Sequence, residues 1–372
     1  MAKRVPPFDL QKRRMNILLL AHEKDDHAAP VYWALTQAGY EAECHGGVSA
    51  AEQERASLIF TPERAVVLGN MAVSRGDTVW FREPNLPVEE QTLSTRAKFL
   101  GFWHEIVAML EQLPARCINK PSATNLINNK AVQLLLAGKA GLRVPATVMS
   151  NAPAAVREFF DRYPESAVCK PFVPHIWQRQ DSKDTTVAET FPLTRDQLPA
   201  DEVFTYAPAI YQQRIDKQFD VRTVLMGNRI YSFALRTPAN SLDWRFDAAI
   251  RNLDVQIIAT PPEVEHGLLT FAEACGICFG SADFAVDRHG QWWFLEINEQ
   301  GQFLWLEQYS PQAALLQKFC AFLTTDEDAT KSLEDRQRLF PSFLDYDKAH
   351  PNRETMDFRT ATADAPFKSV EP

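Results

Sequence analysis

The stretch Ser281-Ala-Asp-Phe-Ala-Val-Asp287, a turn at His289-Gly290, and Gln291-Trp-Trp-Phe-Leu-Glu-Ile-Asn298 read together as a β-hairpin. Side chains alternate across a strand, so Glu296 and Asn298 share one face, and the hairpin brings Asp283 opposite them. Two carboxylates and an amide oxygen are hard ligands, suited to magnesium carried by nucleotide phosphates rather than to zinc. The plainer alternative is three solvent-facing polar residues on an amphipathic hairpin. Phe294, Leu295 and Ile297 bury the flanks of the pair and Gly301 follows closely. Idle charge is costly in such surroundings, which favours the metal reading.

Working back along the chain, Lys170 sits in Ala-Val-Cys-Lys-Pro-Phe, a strand with apolar neighbours. A half-buried lysine there needs an anionic partner, either a phosphate or a structural carboxylate. Lys130 opens a helix after Asn128 and Asn129, where backbone donors and the helix dipole favour an anion. The link Gln212, Gln213, Arg214, Ile215 leaves one strand for another and can offer backbone N–H and C=O groups to an adenine edge. Asp220 can accept from ribose hydroxyls, and the alternative for the whole link is an ordinary crossover. Neither a Walker A motif nor GxGxxG is present, so phosphates have to be held without a glycine-rich loop of those types.

The surrounding chain sets the context. Its 372 residues predict two or three domains, and 45% hydrophobic with 23% charged residues is the composition of a folded globular protein. No apolar run is long enough to span a bilayer or serve as a signal segment, so the expected location is cytoplasmic and no membrane partner is expected. The net charge of −9 provides no global basic field, so no nucleic-acid partner is expected. Six cysteines are scattered; Cys275 and Cys278 form a CxxC that lacks a second pair, so reduced, packed thiols are expected.

Residues 1–14 read as a mobile basic arm. A buried strand from Asn16, a polar turn at Asp25, Asp26 and His27, and a helix closed by Gly39 then make an α/β opening. A strand at Thr78 to Phe81 and an amphipathic helix from Arg96 to Leu113 follow. Beyond Ile118 the order is mixed: helices Asn129 to Ala140 and Ala152 to Tyr163, the latter capped by Asn151, then strands Ala167 to Phe172 and Ala209 to Ile215 and a hairpin around Gly227-Asn228. This favours α+β. From Asp345 onwards the polar tail is expected to fray.

Lys130, Lys170, the Gln212 to Ile215 link, Asp220 and the Asp283, Glu296, Asn298 trio occur in the order that the ATP-grasp superfamily uses, and the sequence resembles that family. A closer resemblance, over roughly residues 15 to 320, is to the microviridin-type ligases, the graspetide synthetases. It rests on Asp26-His27, Trp80-Phe-Arg-Glu-Pro84, Ile118-Asn-Lys-Pro121, Asn129-Lys130, Val144-Pro-Ala-Thr147, Lys217 to Arg222, Asp243-Trp-Arg245 and Phe294-Leu-Glu-Ile-Asn-Glu-Gln-Gly-Gln-Phe303.

The resemblance implies an α+β ATP-grasp fold: an N-terminal α/β pre-grasp domain (15–114), a central subdomain (115–208), a C-terminal grasp subdomain (209–325) and a polar extension (326–372). It implies ATP and Mg2+ as cofactors, with Lys130 and Lys170 on the phosphates, the hinge on adenine, and magnesium on Asp283, Glu296 and Asn298. Arg245 would face the transferring phosphoryl group, with Arg236 and Arg222 as further candidates, and Arg82 would face an acidic substrate or pair with a carboxylate. The implied partners are an acidic, Thr-rich precursor peptide with a leader, and a second copy of the chain as a homodimer. The implied reaction joins Asp or Glu carboxyls of that peptide to Ser, Thr or Lys side chains. Rival functions are an ATP-grasp ligase adding an amino acid to a small carboxylate or protein terminus, and a non-catalytic peptide binder. Residues Phe172 to Thr190 contain no glycine, Gln213 stands where related ligases often carry Glu, and Cys44 to Asn70 lacks the family pattern.

Overall fold

The computed structural model describes residues 15–22, 25–47, 56–59, 65–82, 93–164, 167–172, 176–178, 185–187, 190–237, 253–325 and 333–351. The expected basic arm at 1–14, Glu83-Pro84 and Asp243-Trp-Arg245 lie outside the described residues. The chain divides into two compact units, one running to Ser122 and including Gln302–Pro351, the other Ala123–Gly301.

In the first unit a parallel sheet has the strand order Glu41–His45, Asn16–Leu20, Thr78–Phe81, Arg116–Ile118. Asn16–Leu20 is buried along its whole length, as a central strand covered on both faces must be. The helix Leu93–Gln112 covers one face through Trp103, Ile106 and Leu110, three and four residues apart, which pack with Leu18, Leu20 and Val79. On the other face Trp80 meets Phe319 edge-on, at 4.8 Å between ring centroids. Phe319 belongs to the helix Leu315–Leu323, which is apolar nearly all round and buried accordingly.

The segment after residue 332 corrects one expectation. The chain does not fray from Asp345: the helix Phe343–Ala349 begins there with a capping box in which Ser342 Oγ accepts from Asp345 N and the Asp345 carboxylate accepts from Ser342 N. Phe340, Phe343 and Tyr346 are buried, and Tyr346 packs edge-on against Trp33. This part of the expected 326–372 extension therefore belongs to the first unit's core.

The second unit holds a two-stranded antiparallel ribbon, Ile176–Gln178 with Thr185–Val187, and two larger antiparallel sheets. The smaller has the order Phe191–Leu193, Ala167–Lys170, Ala209–Gln213, Thr147–Ser150. Val156, Phe159 and Phe160 of the helix Pro153–Arg162 pack on its Cys169 and Tyr211 side. Asn151 does not cap that helix: the N-cap is Ala152, and Asn151 Nδ2 donates to Thr205 O instead. The larger sheet has the order Asp254–Ile258, Arg229–Arg236, Lys217–Met226, Phe279–Asp287, Trp292–Asn298. One of its faces is apolar: Val221, Leu225, Ala282, Phe284, Phe294 and Ile297 pack under the helices Lys130–Lys139 and Pro262–Cys275. Gly276 ends the second of these helices at φ +72°, and all six cysteines are free thiols. Among the described residues no helix is long and apolar enough to cross a membrane.

Candidate active site

The face of the larger sheet opposite its helices is charged. Register explains why: Arg222 lies opposite Asp283, Asp283 opposite Glu296, and Ser281 opposite Asn298, which sets the predicted trio on one face. A shift of register between Asp283 and Phe284 adds a detail that alternation alone misses. Phe284 pairs with Phe294 and Asp283 with Glu296, so Leu295 is an extra residue on its strand. Adjacent residues Leu295 and Glu296 consequently both line the cavity, whereas the sequence pattern put Leu295 in the flanking core.

Each carboxylate of the pair meets a cation. Arg222 Nη1 donates to both oxygens of Asp283 at 2.9 Å, and its Nη2 donates to the carbonyl of Gly301 at 2.7 Å. Lys130 Nζ stands 2.8 Å from Glu296 Oε2, with the two side chains 38% and 33% exposed. Lys130 is placed by its helix start: Asn129 is the N-cap, its Oδ1 accepting from Val132 N at 3.1 Å. Asn298 Oδ1 accepts from Gln300 N, a local turn that orients its amide.

The smaller sheet supplies the facing wall. Gln212 lies opposite Val168, so these two and Lys170 share the face away from the helix Pro153–Arg162. Lys170 Nζ donates to Gln212 Oε1 at 2.8 Å, and Gln212 Nε2 donates to Thr147 Oγ1 at 3.0 Å. The link from Gln213 to Ile215 runs along the cavity, with Gln213 tied to Ala146 by its backbone N–H (2.8 Å) and its Oε1 (3.4 Å). At the start of the larger sheet, Lys217 Nζ pairs with Asp220 Oδ2 at 2.7 Å, both side chains nearly covered.

One cavity thus gathers Lys170, Gln212, Gln213, Arg214, Ile215, Asp220, Asp283 and Glu296, with Lys130 joined to it through Glu296. Arg236 is elsewhere: its guanidinium lies 4.4 Å from the centroid of the Phe219 ring and donates to Gln256 Oε1. Arg82 belongs to the first unit, where it is buried and its Nε stands 3.3 Å from Asp25 Oδ1. Burial pushes the Asp25 carboxyl up, but Arg82, His27 and the N–H groups of Ala28 and His27 outweigh it and leave it below its ordinary value. Arg245 lies outside the described residues. Lys217 was not singled out as a site residue; the signal was its position three residues before Asp220.

Among the described residues no three His, Cys, Asp or Glu side chains are placed to hold a metal. The donor set here is instead two carboxylates and the Asn298 amide on one sheet face, which fits a hard divalent cation bound jointly with phosphate oxygens. No protein-family model and no curated protein matches the sequence. Solved structures do match in fold. A RiPP-associated ATP-grasp ligase of Chryseobacterium gregarium, in complex with ADP and a leader and core peptide, is similar at a TM-score of 0.73 and 22% identity, covering 83% of this chain and 96% of that one. The fold is ATP-grasp.

The macrocyclase MdnC of Microcystis aeruginosa MRC, bound to precursor peptide MdnA, is similar at a TM-score of 0.71 and 22% identity, over 84% of this chain and 100% of that one. The ATP-grasp ligase PsnB, complexed with minimal precursor, Mg and ADP, is similar at 0.64 and 20% identity, over 83% and 98%. The ATP-grasp arrangement accounts for the two facing sheets of the second unit.

Proposed function

We propose that this protein is an ATP-dependent, ADP-forming ligase that macrocyclises a ribosomally made precursor peptide, joining Asp or Glu carboxyls to Ser or Thr hydroxyls or Lys amines. The observation that carries the reading is the cavity that collects Lys170, Asp220, Asp283, Glu296 and the Gln213 to Ile215 link, with Arg222 paired to Asp283 and Lys130 to Glu296. The similar ATP-grasp ligases that bind ADP and precursor peptides support the choice of substrate.

Lys130 and Lys170 bind the phosphates. Asp220 receives the ribose hydroxyls, with Lys217 holding its carboxylate in place. Because Gln213 is engaged by Ala146, the backbone of Arg214 and Ile215 reads the adenine edge. Asp283, Glu296 and Asn298 would hold magnesium, which when bound offsets the charge of the β and γ phosphates. A substrate carboxylate attacks the γ-phosphorus, giving an acyl phosphate and ADP; a hydroxyl or amine of the same peptide then attacks the acyl carbon and expels phosphate. Arg245 is assigned to the transferring group from its place in the sequence alone, since a planar guanidinium suits an array of oxygens. Positioning and charge stabilisation supply the catalysis. The partners are an acidic, Thr-rich peptide with a leader and a second copy of the chain, and the site of action is the cytoplasm.

The test is incubation with ATP, magnesium and an acidic, Thr-rich precursor peptide, read by mass spectrometry and phosphorus NMR. Loss of one water per bond with ADP and phosphate is expected. A gain in peptide mass would make the protein an amino-acid-adding ligase, and AMP with pyrophosphate would overturn the mechanism.

A further inference from the structure

Gln133 is a polar side chain in the core, 5% exposed, with no part in the chemistry above. It lies on the helix Lys130–Lys139, three residues after Lys130 and so on the same flank of that helix. Its carboxamide lies against one residue of the sheet. Gln133 Oε1 accepts from Ile297 N at 2.9 Å, while Nε2 donates to Ile297 O at 3.1 Å and to Ile127 O at 2.6 Å. Ile297 is the residue between Glu296 and Asn298.

An apolar side chain of the same volume would fill this place among Ile127, Ala137 and Ile297 but would fix no position along the strand. A carboxamide that takes both the N–H and the C=O of one residue allows a single register. The helix that carries the phosphate lysine is thereby tied to the strand that carries the metal ligands, at the residue between those ligands. The Lys130–Glu296 pair, 2.8 Å apart, spans the same helix and strand that this clasp joins.

We propose that Gln133 is a positioning residue which fixes Lys130 against Glu296 and Asn298, so that phosphate and magnesium are gripped at one spacing. The inference rests on the nucleotide reading above. Adenine and ribose contacts are made from the link and from Asp220, so the clasp acts on the phosphate and magnesium part of nucleotide affinity.

The experiment is isothermal titration of the full-length chain with ADP, once with excess magnesium and once with EDTA. Gln133→Asn shortens the amide, and Gln133→Glu keeps its length and an acceptor for Ile297 N while removing the donor; two variants guard against one that does not fold, judged by thermal melting. Mg-ADP affinity is expected to fall about 10- to 100-fold, the range for losing a partner that orients metal ligands. Metal-free ADP affinity should fall clearly less, since only the Lys130 contact is then disturbed, and Gln133→Asn should add nothing further to that smaller loss in a Lys130→Met background. A folded variant with wild-type Mg-ADP affinity overturns the inference, as does an equal loss in both titrations or full additivity with Lys130→Met. Wild-type protein that binds ADP in neither titration overturns the nucleotide reading and this inference with it.

Discussion

Glu307 in the first unit and Glu296 in the second are carboxylates held in opposite ways. Glu307 is 3% exposed and accepts backbone N–H groups, from Leu316 at 2.7 Å and Phe343 at 3.3 Å. Those donors sit at the starts of the helices Leu315–Leu323 and Phe343–Ala349, where four N–H groups lack helical partners. They cannot move without unwinding a helix, so Glu307 is a clasp within the fold. Glu296 is a third exposed and is met by a lysine on a long, rotatable stem. Its partner can be exchanged for another cation. The lesson is that the kind of donor, fixed backbone or mobile side chain, separates a carboxylate that builds the fold from one able to exchange its partner.

That contrast is tested most severely at Glu296. Glu296→Gln should lower ligase turnover by about 10³ or more, because it removes one of two charges from a hard-ligand set. Circular dichroism should show the fold intact; loss of fold would make Glu296 structural like Glu307. Arg245→Ala should lower kcat by about 10² to 10³ with nucleotide affinity changed much less, as when one preorganised donor is removed. Arg245→Lys should rescue only in part, since the ammonium loses the planar two-pronged contact. Equal loss of ADP affinity and kcat would make Arg245 a ground-state ATP contact.

How far the sequence reveals this site follows from the range of its interactions. Strand alternation is local, so the shared face of Asp283, Glu296 and Asn298 is legible directly, and the register bears it out. The bulge at Leu295 is harder to see: it shifts the phase of alternation, so that Phe294 and Ile297 both enter the core although three residues apart, and an apolar Leu295 conceals the shift. Gln133 looks like any polar residue in a helix until the strand at Ile297 is set beside it, and that contact spans 164 residues of sequence. The return of Phe340, Phe343 and Tyr346 to the first unit is equally non-local. Its one local signal was the Ser342 to Asp345 capping box, which a polar composition conceals.

Glu307 gives a smaller effect of a different kind. Burial raises its carboxyl to about 7, with the N–H groups of Leu316, Phe343 and Leu315 and the Lys318 charge offsetting only part of the rise. From the ordinary glutamate range up to about 7, the folded protein keeps a proton that the unfolded chain has released. Stability is therefore highest below that window and falls as pH rises through it, by roughly 3 kcal/mol at about 1.4 kcal/mol per unit. Urea titrations at pH 5 and 8 should show this slope in wild type and lose most of it in Glu307→Gln, with ligase turnover at one pH nearly unchanged. A slope that survives the substitution would assign it to other groups.

The smallest expected effect belongs to Arg236, which separates the two faces of the larger sheet. The sequence offers it as a catalytic cation, yet its guanidinium stacks on Phe219, a residue packed against the helix-covered core. Asp220, the next residue, points into the cavity, so neighbours on one strand serve opposite faces. Arg236→Ala removes a cation–π contact and one hydrogen bond to Gln256, a loss of about 1 kcal/mol of stability. The kcat and the ADP affinity should both stay within about 2-fold of wild type, as expected for a surface change away from the site. The measurement is steady-state turnover on one precursor peptide together with a thermal melt. A tenfold fall in kcat with an unchanged melting temperature would instead return Arg236 to the chemistry, and would require its side chain to leave Phe219 when substrate binds.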